Sequence, residues 1–452
     1  MLRGPSTVPD SAALDPTPTV PHTPIRPSPR ISPLSIRPRD LLPGLLVAAT
    51  GVGAGDLITA SLAGSELGVA ILWAAVVGAV LKASLNEGLA RWQLATGETL
   101  VHAWVHRLPP ILSWMFLVYL LLWSFVVGGA LVNACGIAAS GWLPVGDADT
   151  SRLVWGVAHG LGGLALVRLG SFRFFETLMA VCIAAMFGCV VLTAVLLDPD
   201  WGAVGRGLIT PTVPEGGLAW VLGVLGGVGG TVTLLSYGYW IREHGREGDA
   251  GLRSCRVDLA VAYGMTALFG VAMILIGSRL ELSGKGAGVA LALGEQLELT
   301  LGPVGRAVFL AGFWGAVFSS LLGVWQGVPY LFGDFVAALR ERRTQRGGAP
   351  LPEGEGDGDA LRRRAARRFQ LGLALLPLPL LAYSFRGVQL TYAVLGAVFM
   401  PFLAGTLLYL NNRSDWIGTR HRTRWLGNTL LALTLVFFGW EGVRAWLRAI
   451  EG

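Results

Sequence analysis

The sequence predicts an all-α protein that crosses a membrane many times, and three observations support this class. Hydrophobic residues make up 53% of the 452 residues and charged residues only 14%, whereas a typical soluble domain has roughly 25% charged residues. Long apolar stretches recur, each near the ~20 residues that a helix needs to cross the hydrocarbon core. The alternating pattern of transmembrane β-strands is absent. We therefore expect about eleven transmembrane helices.

The charge and the cysteine and histidine positions exclude several other classes. The net charge is +6, but the basic residues lie in loops between apolar runs, without a motif that reads nucleic-acid grooves. The four cysteines have no metal-type spacing and are interpreted as packing residues. The six histidines are scattered without a ligand or triad pattern, so we expect neither an enzyme nor a resident cofactor. These histidines are His22, His102, His106, His159, His244 and His421.

The chain divides into a tail, a core and an appended segment. Residues 1–38 are rich in Pro, Ser and Thr and have no apolar run, which predicts a disordered cytoplasmic tail and excludes a signal peptide there. Residues 39–413 are predicted to form a ten-helix core, with inverted repeats at about 41–198 and 218–411. A flexible cytoplasmic loop is expected at 341–362. Residues 414–452 contain a further loop and an eleventh transmembrane helix.

Apolar runs locate the individual spans, with boundary errors of about 2–4 residues. Two of them are long for one crossing and are expected to bend or to extend beyond the membrane: the third and the eighth. The predicted spans are 41–66, 68–92, 109–140, 151–167, 173–197, 218–241, 256–278, 304–338, 369–384, 388–410 and 424–446.

The arginines predict the orientation, because basic residues concentrate in cytoplasmic loops. If the N-terminus is cytoplasmic, the tail and the loops after even-numbered spans face the cytoplasm, and these contain most of the arginines. The run from Arg362 to Arg368 belongs to one such loop. The alternation continues along the whole chain, so it supports both the span count and a multi-pass protein of the cell membrane with a cytoplasmic N-terminus.

The first predicted span contains three glycines and a carboxylate near its middle, in the segment Gly51-Val52-Gly53-Ala54-Gly55-Asp56. Glycine costs up to ~1 kcal/mol in a helix interior relative to alanine, so three together favour unwinding. Unwound backbone at membrane depth occurs where it lines a cavity or is buried in protein. An aspartate there costs ~2.5–3.5 kcal/mol on insertion scales and needs a partner or a role.

The sixth predicted span repeats this feature. It contains five glycines between Gly223 and Gly230, followed by Thr231, Thr233, Ser236 and Tyr237. Interrupted helices five spans apart are typical of an inverted repeat whose substrate site lies between the two breaks. Glycines four apart also serve close helix packing. Because both breaks are in register and one contains Asp56, we favour a binding site.

The sequence resembles the Nramp family of divalent-metal transporters. The resemblance is strongest from Pro43 to Trp73 and continues at Ala95–Leu100, Gly230–Val232, Arg256–Asp258 and Ser319–Ser320. It covers roughly residues 41–450. The resemblance implies a LeuT-type fold of five plus five inverted repeats, with helices 1 and 6 broken and an eleventh helix appended. It also implies alternating-access import of divalent cations.

Departures from the family pattern affect the expected chemistry. Where the family has Asp-Pro-Gly-Asn, this chain has Gly53-Ala54-Gly55-Asp56, and where the family has Met-Pro-His, it has Thr233-Leu234-Leu235. The family's acidic pair in the third span falls among residues 122–126, which contain no acid. The family's soft ligand and its usual proton-linked groups are therefore missing, so coupling by that route is not expected.

The resulting hypothesis is a site made of oxygen ligands. Asp56 and Thr233 are the expected metal ligands, with backbone carbonyls near Gly53 and Gly230. Such a site suits a hard cation, for example Mg²⁺ or Mn²⁺. Ser236 and Tyr237 complete the predicted substrate site. The divalent cation is the expected substrate, the lipid bilayer is the expected surrounding, and no nucleic-acid partner is expected.

Two features leave alternatives open. Lys82 and Glu87 in the second span are interpreted as a buried or snorkelling pair, or alternatively as a replacement proton or ion path. Asp56 could also pair with the ammonium of a small organic amine, with Tyr237 and Tyr239 supplying a cation–π face. A third hypothesis is a non-transporting membrane sensor.

Overall fold

The computed structural model describes residues 41–227, 230–279, 288–347 and 356–451, and these residues contain helices and no strand. The all-α class predicted from composition therefore holds for this part of the chain. The helices up to the second predicted break are α1 (Leu42–Gly51), α2 (Ala54–Leu67), α3 (Leu72–Thr96), α4 (Leu100–Arg107), α5 (Pro110–Ser140), α6 (Ala148–Leu169), α7 (Phe172–Leu196), α8 (Trp201–Ile209) and α9 (Leu218–Gly227).

The helices after the second break are generally longer. Short 3₁₀ turns precede α3 at Gly68–Ile71 and α10 at Val232–Leu235. The helices are α10 (Ser236–Glu243), α11 (Gly248–Ser278), α12 (Gly288–Gly347), α13 (Gly356–Leu375), α14 (Phe385–Leu410), α15 (Ser414–Ile417) and α16 (Trp425–Glu451).

Five helical stretches of the described chain are long and apolar enough to cross a membrane: Leu57–Thr96, Pro110–Ser140, Phe172–Leu196, Gly248–Ser278 and Leu291–Gln345. Shorter apolar helices occur at Leu42–Gly51, Val398–Leu410 and Trp425–Trp440. The first of these is short because the predicted break divides its span. The total of eleven crossings remains a prediction.

Both predicted helix breaks occur in the structure. In the first, α1 ends at Gly51, Val52 is extended, and α2 begins at Ala54. In the second, α9 ends at Gly227 and α10 begins at Ser236, after a segment in which Gly230 has a φ of 76°. The fold therefore has the interrupted helices that the glycine pattern indicates.

The broken helices lie at the centre of the bundle. In α1, eight of ten residues are buried, and in α10 every residue from Ser236 to Ile241 is buried. A helix that is apolar on all sides packs inside a bundle and not on its surface. α1 packs against α7, α10, α11 and α12, so it is surrounded by helices from both halves of the chain.

The stretch α12 consists of two helices joined at a kink, and the second of them covers the predicted eighth span. It changes direction at Gly302, which has a φ of 76° and a following proline. Helix α12 also reaches Gly347 and α13 begins at Gly356, so the loop expected at 341–362 is replaced at both ends by helix. Arginine, alanine, leucine and glutamate are good helix formers, which explains this extension. Residues 348–355 lie outside the described residues, as does the predicted tail at 1–38.

Helix α4 is a short helix that the sequence pattern did not predict. The Thr99 hydroxyl accepts a hydrogen bond from the His102 amide and caps its N-terminus. At its C-terminus Arg107 binds both carboxylate oxygens of Glu98, at 2.7 and 3.0 Å. Burial raises the pKa of Glu98, but the hydrogen bond and charge of Arg107 outweigh it and bring that pKa below its ordinary value.

Ion pairs bring several arginine-rich segments together at one end of the bundle. Arg256 at the start of α11 pairs with Glu87 near the end of α3, and Arg420 pairs with Asp249. Arg362 of α13 pairs with Asp334 of α12, which also accepts a hydrogen bond from Thr99. We call residues 97–109, 242–256, 334–347, 356–368 and 411–424 the basic end. These segments belong to the loops that the arginine pattern predicts to be cytoplasmic.

Glycines allow α2 and α11 to cross at very short range. A Cβ atom at Gly277 of α11 would stand 1.9 Å from the Ser61 carbonyl oxygen, and one at Gly64 of α2 would stand 2.2 Å from the Ile274 carbonyl oxygen. Both distances are far below a van der Waals contact. The crossing therefore requires glycine on each helix.

We expect Gly277→Ala to lower the melting temperature of the detergent-solubilised protein, because overpacking costs about 1–3 kcal/mol. Gly264→Ala on the same helix is the matched control, because nothing lies within 4 Å of the position that its methyl group would take. Alanine is a better helix former than glycine by up to ~1 kcal/mol, so the control should be neutral or slightly more stable. Equal melting temperatures for both variants would contradict the close crossing.

Candidate cation site

The two helix breaks meet at Gly51 and Gly230. A Cβ atom at Gly230 would stand 3.1 Å from the Gly51 Cα and 2.7 Å from the Thr233 hydroxyl oxygen. The φ of Gly230, 76°, is also in the left-handed region that glycine adopts without strain. Glycine at this position therefore satisfies a backbone conformation and a close contact at once, and it brings the two unwound segments together.

Two serines of α12 hold the open end of α1. The last carbonyl groups of a helix have no partner within the helix. The Ser319 hydroxyl donates to the Ala49 carbonyl oxygen at 3.0 Å, and the Ser320 hydroxyl lies 3.1 Å from the Thr50 oxygen and 2.9 Å from the Val52 oxygen. Both serines are buried. They therefore stabilise the break by satisfying carbonyl groups that the interrupted helix leaves exposed.

A small cavity lies beside the junction of the breaks. Its volume is about 20 Å³, which is enough for one water molecule or one ion, since a water needs roughly 10–15 Å³ on this measure. Both breaks contribute to its wall, together with α5, α12 and α14. The lining residues are Thr50, Gly51, Gly53, Val127, Ala130, Leu131, Thr233, Ser320, Val324, Gln389 and Tyr392.

The polar side-chain atoms of this lining are oxygens, apart from the amide nitrogen of Gln389. Thr50 Oγ1 and Gln389 Oε1 are buried and have no hydrogen-bond partner among the described residues. A buried polar atom without a partner costs about 1–3 kcal/mol. The Thr233 hydroxyl adds a third oxygen, and Thr233 is buried. Oxygen-bearing side chains from both breaks and from α14 therefore reach the cavity wall, and Thr50 Oγ1 itself packs against Gly323 of α12.

Helix ends add to the electrostatics of the junction. The C-terminus of α1, at Gly51, carries a partial negative charge that favours a cation. At the second break the Lys82 side chain donates to the Gly226 carbonyl oxygen at 2.8 Å, so it satisfies a carbonyl group near the end of α9. Asp56 is the third residue of α2, directly after the first break, and its side chain lies outside the described residues.

The second break is also held by α5. The Trp123 indole donates to the Thr231 hydroxyl at 3.1 Å. Trp123 is fully buried and belongs to the stretch where the family resemblance implies an acidic pair. In this chain the position stabilises the unwound segment with a neutral hydrogen bond.

The predicted site residues separate into two groups. Gly53 and Thr233 line the cavity, and Gly230 touches the first break. Ser236 packs against Gly327 of α12, and the Tyr237 hydroxyl donates to Asp258 of α11 at 2.6 Å. Neither Ser236 nor Tyr237 is part of the cavity lining.

Lys82 and Glu87 lie in different surroundings. Lys82 is fully buried beside the end of α9, as described above. Glu87 lies at the basic end, where Arg91 approaches it at 2.5 Å and Arg256 at 2.9 Å. Each side chain therefore has partners of its own, and the alternative role in a proton or ion path stays a prediction.

Sequence reasoning missed Thr50, Gln389 and Tyr392 as lining residues. Gln389 is the second residue of the predicted tenth span, far along the chain from both breaks, and nothing in its sequence position marks it as a lining residue. Thr50 precedes the glycine cluster without a distinguishing pattern. For Thr50 the sequence signal was its position next to the predicted break, because unwound backbone at membrane depth lines a cavity or is buried in protein.

A larger cavity, of about 620 Å³, lies at the basic end. Its wall includes the acidic residues Glu87 and Asp249 and a larger number of arginines, so its charge disfavours a divalent cation. The small central cavity is therefore the better candidate for a cation, although it is the smaller of the two. The arginines are Arg91, Arg253, Arg256, Arg420, Arg422 and Arg424.

Comparison with curated proteins gives partial matches. A protein named divalent metal cation transporter MntH from Chromohalobacter salexigens is 33% identical over 187 residues, which cover 41% of this chain and 42% of that protein. A protein of the same name from Agrobacterium fabrum is 28% identical over 180 residues, covering 38% of this chain and 36% of that protein. The matched segments thus span less than half of these relatives.

Comparison with solved structures shows the fold. A mutant of the manganese transporter of Eremococcus coleocola superposes with a TM-score of 0.69 and 18% identity, covering 90% of this chain and 86% of the other. A nucleobase-cation-symport-1 family transporter superposes with a TM-score of 0.53 and 13% identity, covering 91% and 92%. These likenesses confirm the predicted all-α fold.

The sequence profile described as "Natural resistance-associated macrophage protein-like" matches residues 44–445. This range includes both helix breaks, the serines of α12 and most of the appended helix α16. The match confirms the resemblance drawn from the residues around Pro43–Trp73. The chain belongs to the Nramp family.

Proposed function

We propose that this protein transports a divalent metal cation across the cell membrane by alternating access. The observation that carries the proposal is the ion-sized cavity where the two helix breaks meet, with oxygen atoms from both breaks in its wall. Membership of the Nramp family, and relatives named as divalent metal cation transporters, support the same function. The protein acts as a carrier and not as an enzyme.

The ligand atoms favour a hard cation. Thr50, Thr233 and Ser320 present hydroxyl groups and Gln389 presents an amide oxygen, with Asp56 at the start of α2 as the expected carboxylate. Oxygen ligands suit Mg²⁺, Ca²⁺ and Mn²⁺ better than they suit softer metals. The structural likeness to a manganese transporter makes Mn²⁺ the first ion to test. The cation is the substrate, and no resident cofactor is needed.

The size of the cavity favours a metal ion over an organic amine. A volume of about 20 Å³ accommodates one water-sized group. The tyrosines that an amine site would use make other contacts: Tyr237 binds Asp258 and Tyr239 donates to Asp334 at 2.9 Å. We therefore prefer the metal hypothesis.

Hydrogen bonds between α10 and its neighbours, next to the basic end, keep that side of the protein closed in the proposed transport cycle. The Gln93 amide donates to the Gly238 carbonyl oxygen at 2.5 Å, and Asp334 accepts from Thr99 and Tyr239 and pairs with Arg362. Each hydrogen bond to a charged group contributes about 1.5–3 kcal/mol. A path from the central cavity to the basic end opens only if α10 breaks its hydrogen bonds to Gln93 and Asp334. The break before α10 provides the hinge for this movement.

The basic end faces the cytoplasm in this proposal. The segments that compose it contain many more arginines than the connections at the opposite end, and cytoplasmic loops carry such an excess. The N-terminus is then cytoplasmic. A proton or ion path through Lys82 and Glu87 stays the alternative prediction, with Lys82 beside the second break and Glu87 paired with Arg91 and Arg256.

We expect saturable Mn²⁺ uptake into proteoliposomes, and Asp56→Ala should reduce it to the level of empty vesicles, because the variant removes the carboxylate of the site. Asp149→Ala is the matched control, since Asp149 is 90% exposed at the side chain. The measurement is initial uptake with Mn²⁺, Mg²⁺, Ca²⁺ and methylammonium as separate substrates. Absence of uptake of all three metals by correctly folded wild type would contradict a transporter of these cations and favour an amine carrier or a sensor.

Thr233→Met should change the selectivity among metals. The variant replaces a hydroxyl oxygen at the second break with a thioether, which favours softer ions. We expect uptake of Cd²⁺ relative to Mn²⁺ to rise about tenfold or more, corresponding to roughly 1.4 kcal/mol. Thr391→Met on α14, an exposed threonine, is the control. An unchanged ratio in Thr233→Met would show that this side chain does not contact the transported ion.

A further inference from the structure

A second group of metal-binding side chains lies at the basic end. His102 and His106 are one turn apart on α4, and their rings stack with centroids 4.2 Å apart. Glu341, near the end of α12, approaches both rings. Its Oε2 atom lies 3.1 Å from His102 Nε2 and 3.8 Å from His106 Nε2. The three potential ligand atoms all lie within 4.8 Å of one another.

These separations fit a shared metal ion. Zinc binds histidine nitrogen and carboxylate oxygen at about 2.0–2.2 Å, so two ligand atoms on one ion are separated by roughly 3.0–3.4 Å in octahedral or tetrahedral geometry. The distance from Glu341 Oε2 to His102 Nε2, 3.1 Å, lies in this range, and that to His106 Nε2, 3.8 Å, exceeds it. Small side-chain rotations would bring all three atoms to the required distance.

We propose that His102, His106 and Glu341 form a binding site for a divalent transition-metal ion at the basic end, separate from the central cavity. The side chains remain accessible, with exposed fractions of 28%, 15% and 40% respectively. An ion can therefore reach the site from the aqueous phase.

The unsatisfied ligand atom of His106 and a carboxylate behind the His102 ring support a metal ion at this position. His106 Nε2 is buried and has no hydrogen-bond partner among the described residues, and the same holds for His102 Nδ1. The Glu98 carboxylate lies 3.9 Å from His102 Nδ1. Metal-binding histidines usually donate their second nitrogen to a carboxylate or carbonyl group, and Glu98 is placed to accept such a bond.

The ligand types predict a different metal from the central cavity. Imidazole nitrogen favours Zn²⁺, Co²⁺ and Ni²⁺, whereas Mg²⁺ and Ca²⁺ prefer oxygen. An i, i+4 histidine pair on one helix face presents two nitrogens to the same ion. The site at the basic end is therefore expected to bind Zn²⁺ strongly and Mg²⁺ very weakly.

The central cavity and the proposed site at the basic end lie far apart along helix α12. Ser320 lines the central cavity and Glu341 lies 21 residues further along the same helix, which corresponds to about 30 Å. Between them, Asp334 already joins α12 to α4 through Thr99. An ion held by His102, His106 and Glu341 would join the same two helices a second time, about two turns beyond Asp334.

The test is zinc binding to the full-length protein in detergent, after removal of any affinity tag, by isothermal titration calorimetry with zinc chloride. Wild type and Asp56→Ala should both bind Zn²⁺ at this site, and binding should raise the melting temperature. The double variant His102→Ala/His106→Ala should weaken this binding at least 100-fold, because even outer residues of a metal site change affinity 10–100-fold. His421→Ala, which changes another histidine of the basic end, should leave it unchanged.

Glu341→Gln leaves both histidines in place and removes one ligand. It tests the site if the double variant fails to fold. It should weaken zinc binding at least 10-fold. Cobalt provides an independent readout, because Co²⁺ bound by these residues absorbs visible light and the double variant should lose that absorption. Zinc affinity unaffected by both variants, or no saturable zinc binding by the folded wild type, would overturn the proposal. Uptake by the transporter is not needed for either outcome.

Discussion

The close approach of Gly51 and Gly230 organises the centre of the bundle. It brings together the two places where the chain leaves helical geometry inside the bundle, and the space beside it is the ion-sized cavity. A side chain at Gly230 would push the segments apart and strain a backbone with a φ of 76°. The sequence offered two explanations for the glycines, close helix packing and unwinding. Gly230 needs glycine for both reasons.

An unwound segment inside a membrane protein exposes polar backbone groups that need partners. In this chain the partners are distributed over three helices: Ser319 and Ser320 of α12 at the first break, and Trp123 of α5 and Lys82 of α3 at the second. These contacts make the breaks fixed features of the fold. They leave Thr50 and Gln389 with oxygen atoms that have no hydrogen-bond partner among the described residues.

The all-α fold and the positions of the two helix breaks were predictable from the sequence, because hydropathy predicts the apolar helices and glycine clusters five spans apart predict the breaks. Gln389 and Ser320 were not predictable as site neighbours, since each lies far from the first break along the chain. The cluster of His102, His106 and Glu341 was not predictable for the same reason, because His102 and Glu341 are separated by 239 residues. Ser236 and Tyr237 follow the second break closely in sequence, but the turn of α10 directs them toward α12 and α11.

Binding of a cation where the two breaks meet is the property from which the proposed transport follows. X-ray diffraction from crystals soaked in manganese chloride, recorded at the manganese absorption edge, detects such binding without any transport assay. We expect an anomalous peak in the cavity beside Gly53, Thr50 and Thr233, with oxygen atoms as its protein ligands. Anomalous peaks elsewhere in the protein, with none between the breaks at saturating Mn²⁺, would contradict it.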